Sequence, residues 1–189
     1  GSLAKIDQTP VPNAAGGAIE YVRQLAETQS LLAVLSSVKL TYPTDYAAYN
    51  STLNIATLGY RKGFPAAKWQ PVVDIAANLG QQNNTSDRPD LGRVIRGVNV
   101  QVSFLPATEF GVSMGLGYTQ SNYGGSDFLF DSTRADSLFS ANTALQFKLT
   151  KQLTARAELT YYGNQSNLAL YGYNQWTGAI KLRYSYDSQ

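Results

Sequence analysis

Apolar and polar residues alternate along much of this chain, and the clearest run is Val98-Asn99-Val100-Gln101-Val102-Ser103-Phe104, where every even position is apolar and every odd one polar. A period of two puts alternate side chains on opposite faces of a strand. Phe110 to Tyr118 keeps large residues on one face and only Gly or Ser on the other, a strand able to pass close to crowded neighbours. Leu145 to Leu149, Leu153 to Tyr161 and Trp176 to Tyr186 repeat the scheme, Val73 to Leu79 marks an earlier strand, and Val34–Tyr42 and Tyr49–Tyr60 read more weakly as two more. The pattern predicts an antiparallel up-and-down transmembrane β-barrel of about eight strands over residues 34–189.

The N-terminal part reads differently. Residues 1–17 contain Pro10, Pro12, Gly16 and Gly17 without periodicity and are expected to form a flexible arm. Over residues 18–33, Ile19, Val22, Leu25 and Ala26 recur at helical spacing, opposite Glu20, Arg23, Gln24 and Glu27. That spacing predicts a short amphipathic helix, periplasmic or inserted as a plug.

Connection lengths test the barrel independently, because such barrels carry short turns at one rim and longer loops at the other. Tyr60–Trp69, Leu105–Glu109 and Thr150–Gln152 are the shorter links, and Gln81–Arg93, Thr119–Leu138 and Tyr162–Gln175 the longer, polar ones. The alternation predicts both chain ends on the periplasmic side of a bacterial outer membrane. Pairing Leu149 with Leu153 across the Thr150–Gln152 turn sets Phe147 against Ala155, Leu145 against Ala157 and Gln146 against Arg156, so apolar meets apolar and polar meets polar. The same parity holds at Phe104 and Phe110.

A closed sheet of this kind can turn its apolar face toward lipid, or inward around a hydrophobic ligand in a soluble barrel. Aromatic residues near the strand ends, Tyr60, Trp69, Phe104, Phe110, Tyr118, Tyr161, Trp176 and Tyr186, match the two interfacial girdles of a membrane barrel and favour the lipid-facing solution. Arg156, Glu158, Lys181 and Arg183 then point inward from two consecutive strands. Parity lets Glu158 face Lys181 or Arg183, and a carboxylate–cation network filling the lumen is expected.

Composition narrows the chemistry. The chain of 189 residues has no cysteine and no histidine, which removes thiolate metal sites, disulfides, the usual base of Ser and Cys hydrolases and the commonest zinc ligand. Gly115-Leu116-Gly117 and Gly124-Gly125 lack the Lys-Ser or Lys-Thr of a phosphate loop. Asp127, Asp131 and Asp136 lack EF-hand spacing, so a solvated loop is expected there. A net charge of +2 without a basic run argues against nucleic acid. No enzyme activity, cofactor or metal is expected.

Residues Phe110 to Tyr186 resemble the final strands of outer-membrane barrels that follow tetratricopeptide or similar periplasmic modules, including surface lipoprotein assembly modifiers and polysaccharide exporters. The resemblance rests on Gly117-Tyr118 leading into Tyr123-Gly124-Gly125-Ser126-Asp127, on Arg134-Ala135-Asp136-Ser137, and on Asn164 to Tyr173 before a last strand ending in Tyr184-Ser185-Tyr186. It implies a membrane barrel and carries over no catalytic residue. The function expected is a non-enzymatic outer-membrane anchor or surface-loop binding or translocation component. Its partners would be the lipid bilayer and a surface ligand or exported cargo. One alternative is a part of a larger or homo-oligomeric export channel; the other is a soluble barrel around a hydrophobic ligand.

Overall fold

Alternation of this strength leaves each segment one way to satisfy its backbone while segregating its side chains, which is to pair edge to edge with its sequence neighbours. The computed structural model, which describes residues 11–185, shows that arrangement throughout. Nine antiparallel strands form one sheet in sequence order: β1 (Asn13–Ala26), β2 (Gln29–Thr41), β3 (Ser51–Gly63), β4 (Val72–Asn84), β5 (Arg93–Ala107), β6 (Phe110–Asp127), β7 (Ser132–Lys148), β8 (Leu153–Ser166) and β9 (Tyr173–Tyr184). Short 3-10 turns at Thr44–Tyr49, Pro89–Leu91 and Ala169–Tyr171 shape three connections. β1 and β9 are the edges and do not pair with each other.

The expected helix over residues 18–33 is absent. Its residues form most of β1 and the start of β2, with Glu20 opposite Val34 and Val22 opposite Leu32. Ile19 and Tyr21 share one strand face and Glu20, Val22 and Gln24 the other, so a mixed face imitated helical spacing. The arm is also shorter than expected: Asn13 to Gly17 already pair with Ser37 to Thr41, and residues 1–10 lie outside the described part. The added strand makes the count odd. β1 therefore starts at the rim carrying the β2–β3, β4–β5, β6–β7 and β8–β9 connections, whereas β9 ends at the opposite rim. The two ends of the described sheet do not share a side, contrary to expectation.

The register of the later hairpins follows the sequence parity. Leu145 faces Ala157, Phe147 faces Ala155 and Gln146 faces Arg156. At the β5–β6 turn Phe104 and Phe110 share the apolar face, but a register shift gives them Val112 and Ala107 as partners. The stretch Thr119–Leu138, expected as a long loop, is mostly strand: β6 and β7 run on to a turn at residues 128–131, where Asp131 takes φ 47°.

Exposure separates the two faces. Leu58, Leu79, Leu116 and Ile180 on the apolar face are 58–83% exposed, whereas Ser51, Ser121, Asp136, Ala144 and Asn164 on the other are below one tenth. A sheet curled toward its polar face produces this, since side chains crowd on the concave side and splay on the convex one. Gly115 shows the crowding: a Cβ there would sit 2.5 Å from Gln101 Oε1 and 2.6 Å from Asn142 Nδ2.

Candidate functional site

Three groups of side chains gather charged and aromatic residues on this sheet. On the concave face, Arg156 and Lys181 are register partners on β8 and β9, and Glu158 lies between them. Arg156 Nε donates to Glu158 Oε1 at 2.6 Å, and Lys181 Nζ donates to Glu158 Oε2 at 2.6 Å. One carboxylate thus bridges two cations, a geometry that satisfies both oxygens and prevents bare cation–cation repulsion. Arg183, expected in the same network, stands across from Thr154 and is not joined to it.

The second group forms two aromatic rows on the convex face. Tyr60, Phe104 and Phe110 lie toward the rim of the β3–β4, β5–β6 and β7–β8 connections, with Phe147 4.7 Å from Phe110 between ring centroids. Tyr118, Tyr161 and Trp176 lie toward the other rim together with Phe139; Tyr161 is 4.9 Å from Trp176 and 6.4 Å from Phe139. Trp69 is in the β3–β4 connection at φ 70° rather than on a strand, and Tyr186 lies outside the described residues. Phe139 and Phe147 are not among the aromatics expected for the girdles, although both continue the alternation of β7.

The third group was not foreseen and sits where β6 and β7 extend beyond the second row. The Arg134 guanidinium lies between two rings, 3.6 Å from the Tyr171 centroid and 4.6 Å from that of Tyr123, while its Nε donates to Asp136 Oδ2 at 2.9 Å. Tyr171 donates its hydroxyl to Asp127 Oδ2 at 2.6 Å. That bond, helped by the Leu129 backbone N–H, holds the Asp127 carboxyl below its usual range and raises the Tyr171 phenol. Arg93 extends the chain, donating to Tyr123 Oη at 3.3 Å and to Gln82 Oε1 at 3.0 Å, and Gln82 in turn donates to the buried Ser51 at 3.0 Å. Nearby, Arg88 Nε donates to Asp90 at 2.8 Å and lowers that carboxyl. Gln82, Arg88, Arg93 and Tyr123 border a cavity of about 580 Å³.

A sequence signal for this group exists. Arg88 and Asp90, Arg134 and Asp136, and Arg156 and Glu158 repeat a cation two residues before an acid, and all three pairs form salt bridges. On β7 and β8 two residues apart is one face, whereas Arg88 and Asp90 meet at the 3-10 turn Pro89–Leu91. Asp127 and Asp136, read in sequence as part of a solvated loop, are instead engaged by Tyr171 and Arg134. Compared with known families, with curated proteins and with solved structures, the chain matches none.

Proposed function

We propose that this chain forms the wall of an outer-membrane-type β-barrel that acts without catalysis, anchored in lipid by its convex face and presenting the rim built from β6, β7 and the 3-10 turns as a binding surface. The observation that carries the reading is the sense of curvature. Most of the large aliphatic and aromatic side chains of the strands are splayed outward, whereas the strand positions under one tenth exposed are Ser, Asp, Asn and Ala. A soluble barrel around a greasy ligand would need the opposite curl.

The spacing of the aromatic rows supports the same reading. From Phe139 to Phe147 the chain rises ~27 Å at ~3.4 Å per residue, which a strand tilt of about 40° reduces to ~20 Å of height. That is close to the ~25 Å apolar band of such barrels. Between the rows the convex face carries Val, Leu, Ile, Met and Ala with few interruptions, among them Thr143 and Gly178. Beyond the row of Tyr118, Phe139, Tyr161 and Trp176 the convex face turns polar at Arg96, Gln120 and Ser137, where a membrane surface would end.

The test is the dependence of folding on amphiphile. Purified protein should give a cooperative β-sheet circular-dichroism signal in detergent micelles or lipid vesicles and aggregate in plain buffer. A monodisperse, fully folded protein in buffer, with both tryptophans shielded from aqueous quenchers, would overturn the reading in favour of the soluble barrel.

A further inference from the structure

The edges are what a membrane wall cannot leave as they are: the N–H and C=O groups along β1 and β9 would face hydrocarbon, where each unsatisfied group costs several kcal/mol. We propose that β1 and β9 of the same chain pair with each other as parallel strands, with Glu20 set against Arg183 on the concave face. The inference rests on the membrane reading above.

Direction comes first. Successive strands reverse, so the first and ninth run the same way, and a direct seam between them is parallel. Register follows from closure. Traced through consecutive partners by way of Thr57, Gly97 and Leu138, Glu20 stands level with Tyr173 on β9. Closing a sheet of nine strands at a tilt of 35–45°, with ~3.3 Å rise and ~4.8 Å spacing, needs a shear of roughly 9–13 residues. Only an even shear keeps the apolar face continuous across the seam, which leaves about ten or twelve. The slide must run toward the end of β9, because ten residues the other way would set β1 beside residues 156–169, outside β9 altogether. Ten residues beyond Tyr173 is Arg183, and twelve is Ser185.

Charge selects the former. Glu20 is the one acid on β1, and among the described residues Arg183 has no carboxylate partner, whereas Lys181 already holds Glu158. In the same register Gly17, Ile19 and Tyr21 fall beside Ile180, Leu182 and Tyr184, which extends the convex apolar surface unbroken.

Closure within one chain rather than through a second copy follows from the concave face of β1–β3. Val22, Leu32, Val34, Leu53 and Ile55 point there, unlike the polar residues that dominate β7–β9. In a ring of nine, β6 stands nearly opposite β2, and its inward positions are Gly111, Ser113, Gly115 and Gly117. A barrel little wider than eight strands is filled by such large side chains reaching toward small ones. A ring of two copies would leave the aliphatic patch facing water.

The absence of native cysteine makes the seam directly readable. In detergent, Ile19→Cys with Leu182→Cys should oxidise to an intrachain disulfide that changes gel mobility at monomer mass, whereas Ile19→Cys with Gly178→Cys, displaced by ~13 Å along the strand, should not. Glu20→Lys should lower the first yield several-fold, and adding Arg183→Glu should restore it. Circular dichroism on the same samples separates the two readings. A variant folded in detergent that links only between chains, or not at all, overturns the seam alone. One that folds in plain buffer overturns the membrane wall and the seam together.

Discussion

The guanidinium carbon of Arg134 stands 3.6 Å from the ring centroid of Tyr171, stacking a strand cation on a residue brought from the β8–β9 connection. The same tyrosine reaches Asp127 at the end of β6, so three separate segments are tied at one rim. Stacked, planar cations of this kind resist substitution by lysine. A preorganised rim is also what a binding surface needs, because less ordering is left for the moment of contact.

The Tyr171 to Asp127 bond sets a pH window for this order. The carboxyl is depressed, so its contribution is present above the unfolded value of ~3.9 and is lost as pH falls through the folded one. The phenol is raised, so its contribution is present below ~10 and is lost as pH climbs through its folded value. Protection of the amides at Ala169 to Gly172, taken relative to their own pH-dependent intrinsic exchange, should hold toward neutral pH and fall as pH drops through the folded carboxyl value. Tyr171→Phe should abolish the dependence; an unchanged profile in that variant would disprove the link.

Two adjacent glycines on β1 should behave oppositely. A Cβ on Gly16 would lie 2.8 Å from Val38 Cα and nearer still to the Ser37 carbonyl oxygen, both backbone atoms that cannot turn aside. A Cβ on Gly17 would meet nothing within 4 Å among the described residues. Gly16→Ala should therefore cost about 1–3 kcal/mol as overpacking, while Gly17→Ala should be neutral or slightly stabilising through the unfolded chain. Urea midpoints in detergent compare them, and equal losses would contradict the close approach.

The strands from β4 onward were legible because one face is nearly all apolar and the other nearly all polar, and the short β7–β8 turn fixed its register by parity alone. β1 was misread for the converse reason. Val22 on its concave face is as apolar as Ile19 and Tyr21 on the convex one, so the period of two was blurred and a period near 3.6 fitted by accident. The extensions of β6 and β7 were hidden because both faces there are polar, as at Gln120, Ser121 and Asn122. The Glu158 bridge was foreseen in kind, but its diagonal reach to Lys181 rather than Arg183 depends on side-chain length that parity does not encode.

That bridge predicts a salt effect. Glu158→Gln would leave Arg156 and Lys181, which are register partners, without the carboxylate between them. Like charges directly opposite destabilise a strand pair, and added salt screens them. The variant should unfold at lower temperature than the parent in dilute buffer with detergent, and high salt should narrow the gap. A gap that widens with salt would show that the two cations do not feel each other.

The sharpest prediction concerns the two faces of β9. Ile180 is 83% exposed on the convex face and lies between Trp176 and Tyr184, at mid-height of the aromatic rows. If that height is the centre of a bilayer, Ile180→Arg places a cation in hydrocarbon and should cost ~2–4 kcal/mol in folding into vesicles. Thr177, three residues away, belongs to the concave face beside Thr160, so Thr177→Arg should cost far less. Neither substitution removes a hydrogen bond that the parent side chain makes among the described residues, so the comparison isolates which face meets lipid. Reversible denaturant titrations in short-chain phosphatidylcholine vesicles measure both, and a larger penalty at Thr177 than at Ile180 would mean that the concave face, not the convex one, lies against the lipid.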